Sequence, residues 1–431
     1  MQPKNFLFVS YEALIVDTAW QVSKEGHNVK FFIKNSTEKE IGDGFVQKSQ
    51  DWKEDVAWAD VVVFDDVLGM GKEAQKLRAE GKLAVGGTPY TDRLEDDRAF
   101  GQEELKKNSI NILPYQEFHD FKEAIKFVEA NPSKYVIKPS GAAANIKRLL
   151  FVGEEDDGKD VIQVLDAYDK AWSKKIKSFQ LQKRMLGVEV AVGGFFNGKN
   201  FINPINVNFE HKKLFPGNIG PSTGEMGTAM YWSNPNAIFN NTLKKMEPIL
   251  RQEGYVGYID INTIVNGNGI YPLEWTSRFG YPTIMIQNEG ILTPMGEFFS
   301  NLASGQDPQL RVKSGFQVGV RIIVPPYPFD DKKTFDTYSK DAVIIFKRPN
   351  YEGVHIEDVK RIDGQWIVAG TSGVVLVVTG SGSTMRTAQL QAYNRVKNIV
   401  IPDMYYRTDI GDRWYEDHDR LHNWGYLREG K

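Results

Sequence analysis

Residues 257–280 read GYIDINTIVNGNGIYPLEWTSRFG, two strand-like apolar runs around a glycine-rich turn. The turn, NGNG at 266–269, is typical of a β-hairpin. In such a hairpin, Asp260 and Glu274 are predicted to face one another across the strands. Neighbouring carboxylates are costly unless a cation lies between them, and oxygen ligands suit Mg²⁺. The alternative is a surface hairpin with polar edges, although the apolar neighbours favour a sheet that is buried on one face.

A lysine beside a loop of small residues forms a second motif, VIKPSGAAANIK at 136–147. The strand delivers Lys138 into a loop whose backbone N–H groups can approach phosphate oxygens. The pattern is not the Walker motif, in which the lysine follows the glycines. Because most lysines at strand ends are simply solvated, this motif carries little weight alone.

A third motif is GNIGPSTGEMGT at 217–228, which closely follows EHKK at 210–213. Its glycines and proline predict a structured loop with exposed N–H groups, although most such loops bind nothing. His211 is predicted to form hydrogen bonds rather than bind metal, because no second histidine or cysteine stands at ligand spacing. Arg278, four residues after Glu274, offers a two-pronged donor for a carboxylate or phosphate.

The N-terminal third alternates strands and helices, which predicts a parallel sheet covered by helices. The predicted strands are 6–10, 28–33 and 61–65, and the predicted helices are 13–25 and 70–80. The first strand-to-helix turn reads SYEA, and its lack of glycine excludes a dinucleotide-binding fingerprint.

The sequence after residue 85 predicts a mixture of strands and helices. Segment 86–115 reads as a turn, one charged helix and a short exit strand. Further predicted strands are 135–137, 189–196, 257–265, 270–274, 342–346 and 373–379, with a helix at 384–398. The predicted fold class is therefore α/β and α+β, with an N-terminal parallel α/β domain at 1–115. A central domain at 116–315, with a small subdomain at about 120–185, and a C-terminal α+β domain at 316–431 complete this prediction.

The composition of the 431 residues excludes several function classes. A net charge of −3 gives no field that would attract nucleic acid or anionic lipid. The absence of cysteine excludes disulfides, thiolate metal sites and a thiol nucleophile. No apolar run approaches the ~18 residues of a membrane helix, and the start lacks a signal-peptide cleavage site. We therefore expect a cytoplasmic protein.

Taken together and in this order, the motifs resemble the glycinamide ribonucleotide synthetase family, ATP-grasp enzymes also called phosphoribosylamine–glycine ligases. FQLQKRMLGVEVAV at 179–192 is similar to the hinge that holds adenine in that family. In the family, this hinge is followed by an acidic residue that binds the ribose. LEWTSRFGYP at 273–282 resembles its magnesium segment, Glu-Phe-Asn-x-Arg-Phe-Gly-Asp-Pro. The segments at 369–393 and 405–413 resemble its C-terminal domain. The combination is far more specific than any single piece.

The resemblance implies a role for each matching residue. The residues expected to bind ATP are Arg98, Lys138 and Gly141 at the phosphates, Gln182, Lys183, Arg184 and Met185 around adenine, and Glu189 at the ribose. The expected ligands of Mg²⁺ (or Mn²⁺) are Asp260, Glu274 and Thr276. Arg278 would hold the substrate carboxylate or its acyl phosphate, and the residues expected near the acceptor amine are Glu210, Lys212, Thr223 and Gly224.

The expected activity is ATP-dependent joining of glycine to phosphoribosylamine through an acyl phosphate, a step of purine biosynthesis. The expected partners are two small molecules, an amino acid carboxylate and an amine, with no nucleic acid and no membrane, for a monomer or homodimer. Two alternatives stay open. One is a ligase of the same mechanism with another amino acid or amine, and the other is a nucleotide-binding regulatory protein without turnover. Thr276, which replaces the family's metal-binding asparagine, is the main support for the second alternative.

The acceptor side departs most from the family pattern. SYEALI at 10–15 replaces a Gly-Gly-Arg-Glu-His-Ala turn, Tyr281-Pro282-Thr283 replaces Asp-Pro-Glu, and Asn145 replaces a glycine. Ligands of open α/β sheets bind beyond the carboxyl ends of the strands. That rule places Ser10, Tyr11, Glu12, Asp65 and Asp66 along the acceptor. Their hydroxyl, phenol and carboxyl groups favour an ammonium or sugar hydroxyls over a phosphate, unless these acids only cap helices or face solvent.

Overall fold

The computed structural model describes residues 2–65, 69–140, 143, 146 and 149–428. Within them the chain forms a parallel N-terminal sheet, a small antiparallel sheet, an eight-stranded antiparallel sheet and a four-stranded sheet near the C-terminus. This arrangement confirms the predicted α/β and α+β fold class. No helix in these ranges is long and apolar enough to cross a membrane.

The N-terminal unit is built from short strands and helices. They are β1 (Asn5–Ser10), α1 (Val16–Lys24), β2 (Asn28–Ile33), β3 (Gln47–Lys48), α2 (Trp52–Asp55), β4 (Val61–Phe64), α3 (Gly71–Ala79) and β5 (Leu83–Val85), with a 3-10 turn at Ser36–Glu38. The strands are parallel and ordered β3-β2-β1-β4-β5. The predicted sheet is confirmed, but β3, α2 and β5 were not predicted because such short elements show no hydrophobic period.

Helix α1 begins three residues later than the sequence predicts. Ala13 has φ 70°, a left-handed conformation that cannot start a helix. The Ser10 hydroxyl accepts a hydrogen bond from the Ala13 N–H at 2.7 Å and holds this turn. The helix then starts at Val16 and is followed by the predicted Gly26, which has φ 90°.

Two helices stand where the sequence predicts one charged helix, α4 (Pro89–Asp96) and α5 (Arg98–Lys107). Asp97 separates them with φ −108° and ψ 91°, which a continuous helix does not allow. Its carboxylate accepts from the Phe100 N–H at 3.0 Å and caps α5. The break places Arg98 at the first position of α5.

A small antiparallel subdomain follows. Its elements are β6 (Tyr115–Phe118), α6 (Phe121–Ala130), β7 (Tyr135–Pro139), β8 (Phe151–Val152), α7 (Lys159–Trp172) and β9 (Phe179–Lys183). The strand order is β6-β9-β7-β8. The ring of Phe179 stacks on Phe121 at 4.8 Å and on Phe118 at 6.0 Å, which packs α6 against this sheet.

The next segment supplies most of the large sheet. Its elements are β10 (Val188–Asn197), β11 (Ile205–Glu210), β12 (Lys213–Phe215), β13 (Ile219–Ser222), β14 (Gly227–Ser233), α8 (Ala237–Asn241), α9 (Leu243–Gln252), β15 (Val256–Asn266), β16 (Gly269–Thr276), α10 (Thr283–Gly290), α11 (Met295–Ala303) and β17 (Phe316–Ile323). The strands predicted here from the sequence are confirmed, and β12 and β13 form a separate small hairpin.

The C-terminal elements are α12 (Lys332–Tyr338), β18 (Val343–Phe346), β19 (Val354–Ile356), β20 (Val359–Ile362), β21 (Gln365–Val368), β22 (Val374–Gly382), α13 (Met385–Val396), β23 (Ile399–Val400) and α14 (Trp414–Asn423). The large sheet has the order β16-β15-β10-β11-β14-β17-β22-β19, and the C-terminal sheet has the order β20-β21-β18-β23. The large sheet therefore continues past residue 315, and the division into domains at 115 and 315 stays a prediction.

Helix α11 joins the N-terminal sheet to the large sheet. The ring of Phe299 packs edge-on against Phe8 of β1, with 6.2 Å between the ring centroids. The ring of Phe298 packs in the same way against Phe195 of β10, with 4.7 Å between the centroids. All four side chains are fully buried. Their burial fixes the position of the N-terminal sheet beside β10.

We expect Gly193→Ala to destabilise the large sheet where β10 pairs with β15. A Cβ at Gly193 would lie 2.6 Å from Tyr258 Cζ and 2.8 Å from Asp260 Cβ, both buried. This overpacking should lower the free energy of unfolding by about 1–3 kcal/mol in urea titrations. Gly194→Ala is the matched control, because its nearest contact would be Phe201 Cδ1 at 3.1 Å. Equal losses from both variants would contradict the prediction.

Candidate active site

The hairpin of β15 and β16 carries the predicted acids, but its register differs from the prediction. Asn262 lies opposite Glu274, and Asp260 lies opposite Thr276. The predicted direct pairing of Asp260 with Glu274 is therefore wrong. All four side chains nevertheless share one face of the hairpin, since alternate residues of a strand point to the same side.

An extra residue on β16 causes this register. Thr263 pairs with Pro272 while the next pair joins Asn262 to Glu274, so Leu273 forms a bulge. Without the bulge, Glu274 would lie opposite Ile261 and point to the other face. Pro272 lacks an N–H group, which is tolerated here because β16 is an edge strand. The bulge thus brings the acids to one side.

Lys212, just after β11, lies among three carboxylates from different strands. Its Nζ is 2.8 Å from Glu274 Oε1, 3.0 Å from Glu189 Oε1 and 3.3 Å from Glu210 Oε2. The side-chain N–H of Asn262 also donates to Glu210 Oε2 at 2.9 Å. The sequence assigns these acids to the ribose, the acceptor and the metal, and the structure gathers all three around one ammonium.

The pKa values follow from this cluster. The Lys212 ammonium lowers the pKa of Glu274 to about 2, and burial, which would raise it, opposes this only weakly because the side chain is 60% exposed. Burial alone would lower the pKa of Lys212, but the carboxylates led by Glu274 overcome it and raise that pKa well above its usual range. Burial raises the pKa of Glu210 despite the nearby lysine.

Lys138 and Arg98 form a cationic wall opposite the acids. Lys138 is buried on β7, and burial together with the charge of Arg98 lowers its pKa to about 8. Burial also lowers the pKa of Arg98, whose guanidinium donates to the Pro139 carbonyl at 3.4 Å. Glu274 acts on both cations electrostatically. The two predicted phosphate-binding residues therefore belong to the same charged cleft as the hairpin.

Some predicted features lie outside the described residues. Gly141 and Asn145 of the small-residue loop are among them, as is Asp66 of the N-terminal wall. The approach of this loop's backbone N–H groups to phosphate oxygens stays a prediction.

The residues predicted around adenine lie at the end of β9 and just beyond it. Gln182 is buried, and its side-chain nitrogen has no hydrogen-bond partner within the described ranges. The main-chain N–H groups of Lys183 and Arg184 donate to carbonyls of the small subdomain, and Arg184 also pairs with Glu154 at 2.5 Å. Met185 is half-buried. These contacts leave the Gln182 amide, rather than the two N–H groups, as a donor for a base.

Arg278 is held by a carboxylate that the sequence did not identify. Its Nε and Nη2 lie 3.2 and 3.1 Å from Glu95 Oε1, and its Nη1 donates to the Phe279 carbonyl at 2.9 Å. Burial raises the pKa of Glu95, which also accepts from the Ser277 N–H at 2.8 Å. The pair links α4 to the end of the hairpin. The acid run before Arg98 was the available signal for Glu95.

The predicted acceptor loop fixes the backbone of Lys212. Both the N–H and the hydroxyl of Thr223 donate to the Lys212 carbonyl at 2.8 Å, and the exposed Gly224 follows. Glu225 is buried behind Glu210, and burial with that neighbouring charge raises its pKa well above its usual range. The raised pKa of Glu225 was not predicted, since the groups that cause it lie on other strands.

The edge of the N-terminal sheet reaches the Arg278 segment through Tyr281, whose hydroxyl donates to the Asp65 carbonyl at 3.2 Å. The Asp65 carboxylate accepts from the Ile15 N–H at 3.2 Å and so holds the turn before α1. Tyr11 is half-buried beneath the Lys34 ammonium, 5.1 Å from its ring centre, and Glu12 is exposed.

Two family models match successive parts of the chain. The ATP-grasp (A) domain of phosphoribosylglycinamide synthetase matches residues 96–284, and the C domain of the same enzyme matches residues 318–413. The chain belongs to the phosphoribosylglycinamide synthetase family. The matched segments contain the hairpin, both cations of the wall and the Lys212 cluster.

Individual proteins of this family are similar over most of their length. The phosphoribosylamine–glycine ligase of Streptococcus pneumoniae R6 is 25% identical over 369 residues, 83% of this chain and 84% of that protein. The enzyme of Halalkalibacterium halodurans is 23% identical over 78% of each chain. The crystal structure of the Thermotoga maritima ligase has a TM-score of 0.69 and 21% identity, and covers 94% of this chain and all of that one.

The fold is also similar to that of Campylobacter jejuni biotin carboxylase, with a TM-score of 0.63 and 13% identity over 98% of both chains.

The family implies that the chain uses ATP and a divalent metal. The hairpin fits such a metal, because the Asn262 side-chain oxygen is buried beside Glu274 without a hydrogen-bond partner among the described residues. Among the residues that the structure describes, no group of three or more His, Cys, Asp or Glu side chains could hold a metal ion without other ligands. Nucleotide phosphates would have to complete the coordination, which is usual for Mg²⁺.

We expect Lys138 to make ADP binding depend on pH. The cationic form binds phosphate, so with a pKa of about 8 the affinity for ADP should fall by about tenfold between pH 7 and 9. Lys138→Met should lose about 1.5–3 kcal/mol of binding free energy at pH 7 and show no such fall. Titration calorimetry measures both effects, and Lys138→Arg is the control that keeps the charge. An unchanged affinity in Lys138→Met would refute the phosphate role.

Proposed function

We propose that this chain is a phosphoribosylamine–glycine ligase, which joins glycine to phosphoribosylamine with ATP in purine biosynthesis. The observation that carries the proposal is the cleft itself, in which Lys138 and Arg98 face Glu274 and the other acids. The shared family and the names of the curated relatives support the same activity.

The reaction has two steps. A glycine carboxylate oxygen attacks the γ-phosphorus of ATP, and ADP leaves with the electron pair of the broken P–O bond. The phosphoribosylamine nitrogen then attacks the acyl carbon, inorganic phosphate leaves, and the nitrogen loses a proton. Phosphoryl transfer of this kind needs positioning and charge neutralisation rather than a protein nucleophile, which suits a chain without cysteine.

Residues of the cleft supply those two requirements. Lys138 and Arg98 would neutralise the phosphates, and burial strengthens their electrostatic effect. Arg278 would orient the carboxylate and its acyl phosphate from the position that Glu95 fixes. Lys212 and Glu210 would stand at the acceptor side, where Thr223 holds their loop.

We assign the metal as Mg²⁺, or Mn²⁺ in its place, bound by Glu274 with help from Thr276 and Asp260. When bound, the ion would neutralise charge that develops on the phosphates. Burial and the charge of Glu210 raise the pKa of Asp260 well above its usual range, and the Thr276 hydroxyl opposes that rise. The raised pKa makes the Asp260 carboxyl a weaker metal ligand than an ionised one, and the buried side-chain oxygen of Asn262 lies directly opposite Glu274 as a second ligand.

Other features of the proposal concern where and how the protein works. Its substrates are small metabolites that cells keep in the cytoplasm, and we place the protein there. We propose a monomer or a homodimer, which light scattering on the purified chain distinguishes.

The acceptor amine is tested directly. With ATP, glycine and freshly generated phosphoribosylamine, we expect glycinamide ribonucleotide and ADP in equal amounts, measured by chromatography. Robust turnover only with another amine would favour the alternative acceptor. Tight nucleotide binding without ADP release from any amine or amino acid would favour the regulatory alternative.

Glu274→Ala tests the metal assignment. Turnover should fall by at least about a hundredfold, because a metal ion contributes several kcal/mol of charge stabilisation in such reactions. Circular dichroism should show an unchanged fold, since Glu274 is mostly exposed. Glu129→Ala, at an exposed position on α6, is the control and should keep full activity. An unimpaired Glu274→Ala enzyme would refute the assignment.

A further inference from the structure

Lys212 occupies the point at which carboxylates from β10, β11 and β16 converge. Its ammonium lies within 3.3 Å of an oxygen of Glu189, Glu210 and Glu274 alike. Three acids gathered on one sheet face repel one another unless a cation balances them. Here the balancing cation is a side chain of the protein, Lys212.

The divalent ion proposed above would bind at the same position. Glu274 carries the metal assignment, and the buried oxygen of Asn262 stands opposite it across the hairpin. The nitrogen of that Asn262 amide donates to Glu210 Oε2, which turns the amide oxygen away from this acid. An ammonium in contact with Glu274 and a metal ion on the same carboxylate would repel each other strongly at such short range.

The anchoring of Lys212 allows its ammonium to move while its backbone stays in place. Two hydrogen bonds from Thr223 hold the Lys212 carbonyl. The charged end sits on a flexible chain of four methylene groups and is partly exposed. A change of side-chain rotamer can therefore move the ammonium away from Glu274 without moving the backbone of Lys212.

We propose that Lys212 is the resident cation of the nucleotide-free cleft, which excludes divalent metal from Glu274 until nucleotide phosphates draw the ammonium away. The inference rests on the proposed metal and nucleotide sites. It makes metal binding follow nucleotide binding, since the phosphates offer Lys212 a new partner and complete the coordination of the ion.

The test is Mn²⁺ binding to nucleotide-free protein, followed by the electron paramagnetic resonance signal of free Mn²⁺. Lys212→Met should tighten Mn²⁺ binding by roughly tenfold or more, because no ammonium competes for Glu274. Lys138→Met is the matched control. It removes an equal charge from the same cleft, but the described residues show no ion pair between Lys138 and Glu274, so its effect should be much smaller.

A double variant, Lys212→Met with Glu189→Gln, keeps the net charge of the wild type and both Glu274 and Glu210. It should also bind Mn²⁺ tightly, and it serves as the test if the single variant with three unbalanced acids does not fold. Unchanged Mn²⁺ affinity in the folded variants would overturn the proposal, as would an equal gain in Lys138→Met. No substrate is present, so these results are independent of whether phosphoribosylamine is the acceptor.

Discussion

All ten residues of β10 pair with β15, and this register decides where the charged groups of the cleft stand. Glu189 is the second residue of β10, while β11 on its other side brings Glu210, and β15 brings Glu274 through the hairpin. A slip of one residue in either pairing would turn one set of acids to the opposite face of the sheet. The chemistry of Lys212 thus depends on backbone hydrogen bonds made well away from it.

Buried polar contacts beneath the cleft hold that register. The amide of Asn206 donates to the Tyr258 hydroxyl at 3.0 Å and to Asn208 at 2.8 Å, and Gln287 of α10 donates to Asn206 at 3.3 Å. The buried Asp260 also shares a hydrogen bond with Tyr258. A shifted strand would leave several of these groups buried without partners, each at a cost of about 1–3 kcal/mol. The polar layer therefore selects one register where an apolar layer would tolerate others.

Signals that act over a few residues made much of this fold predictable. Apolar runs located the strands of the N-terminal sheet, and Gly267-Asn268 located the hairpin turn. The Leu273 bulge was not predictable in this way, because it depends on how an edge strand settles against β15. The convergence of Glu189 and Glu274 on Lys212 was missed for a related reason. It joins three strands distant in the chain, and the family resemblance gave each residue a separate role.

The first strand-to-helix turn departs from the family's sequence pattern and is held by hydrogen bonds to side chains. Ala13 adopts a left-handed conformation that costs about 1–2 kcal/mol for a residue with a Cβ. Two hydrogen bonds offset that cost: the one to the Ser10 hydroxyl is worth about 0.5–1.5 kcal/mol, and the one to the Asp65 carboxylate is worth about 1.5–3 kcal/mol. Side chains hold this turn, at a position where the family's sequence pattern has glycines. Since Ser10 and Asp65 are engaged with the backbone, the loss of those glycines has a local explanation that requires no change of acceptor amine.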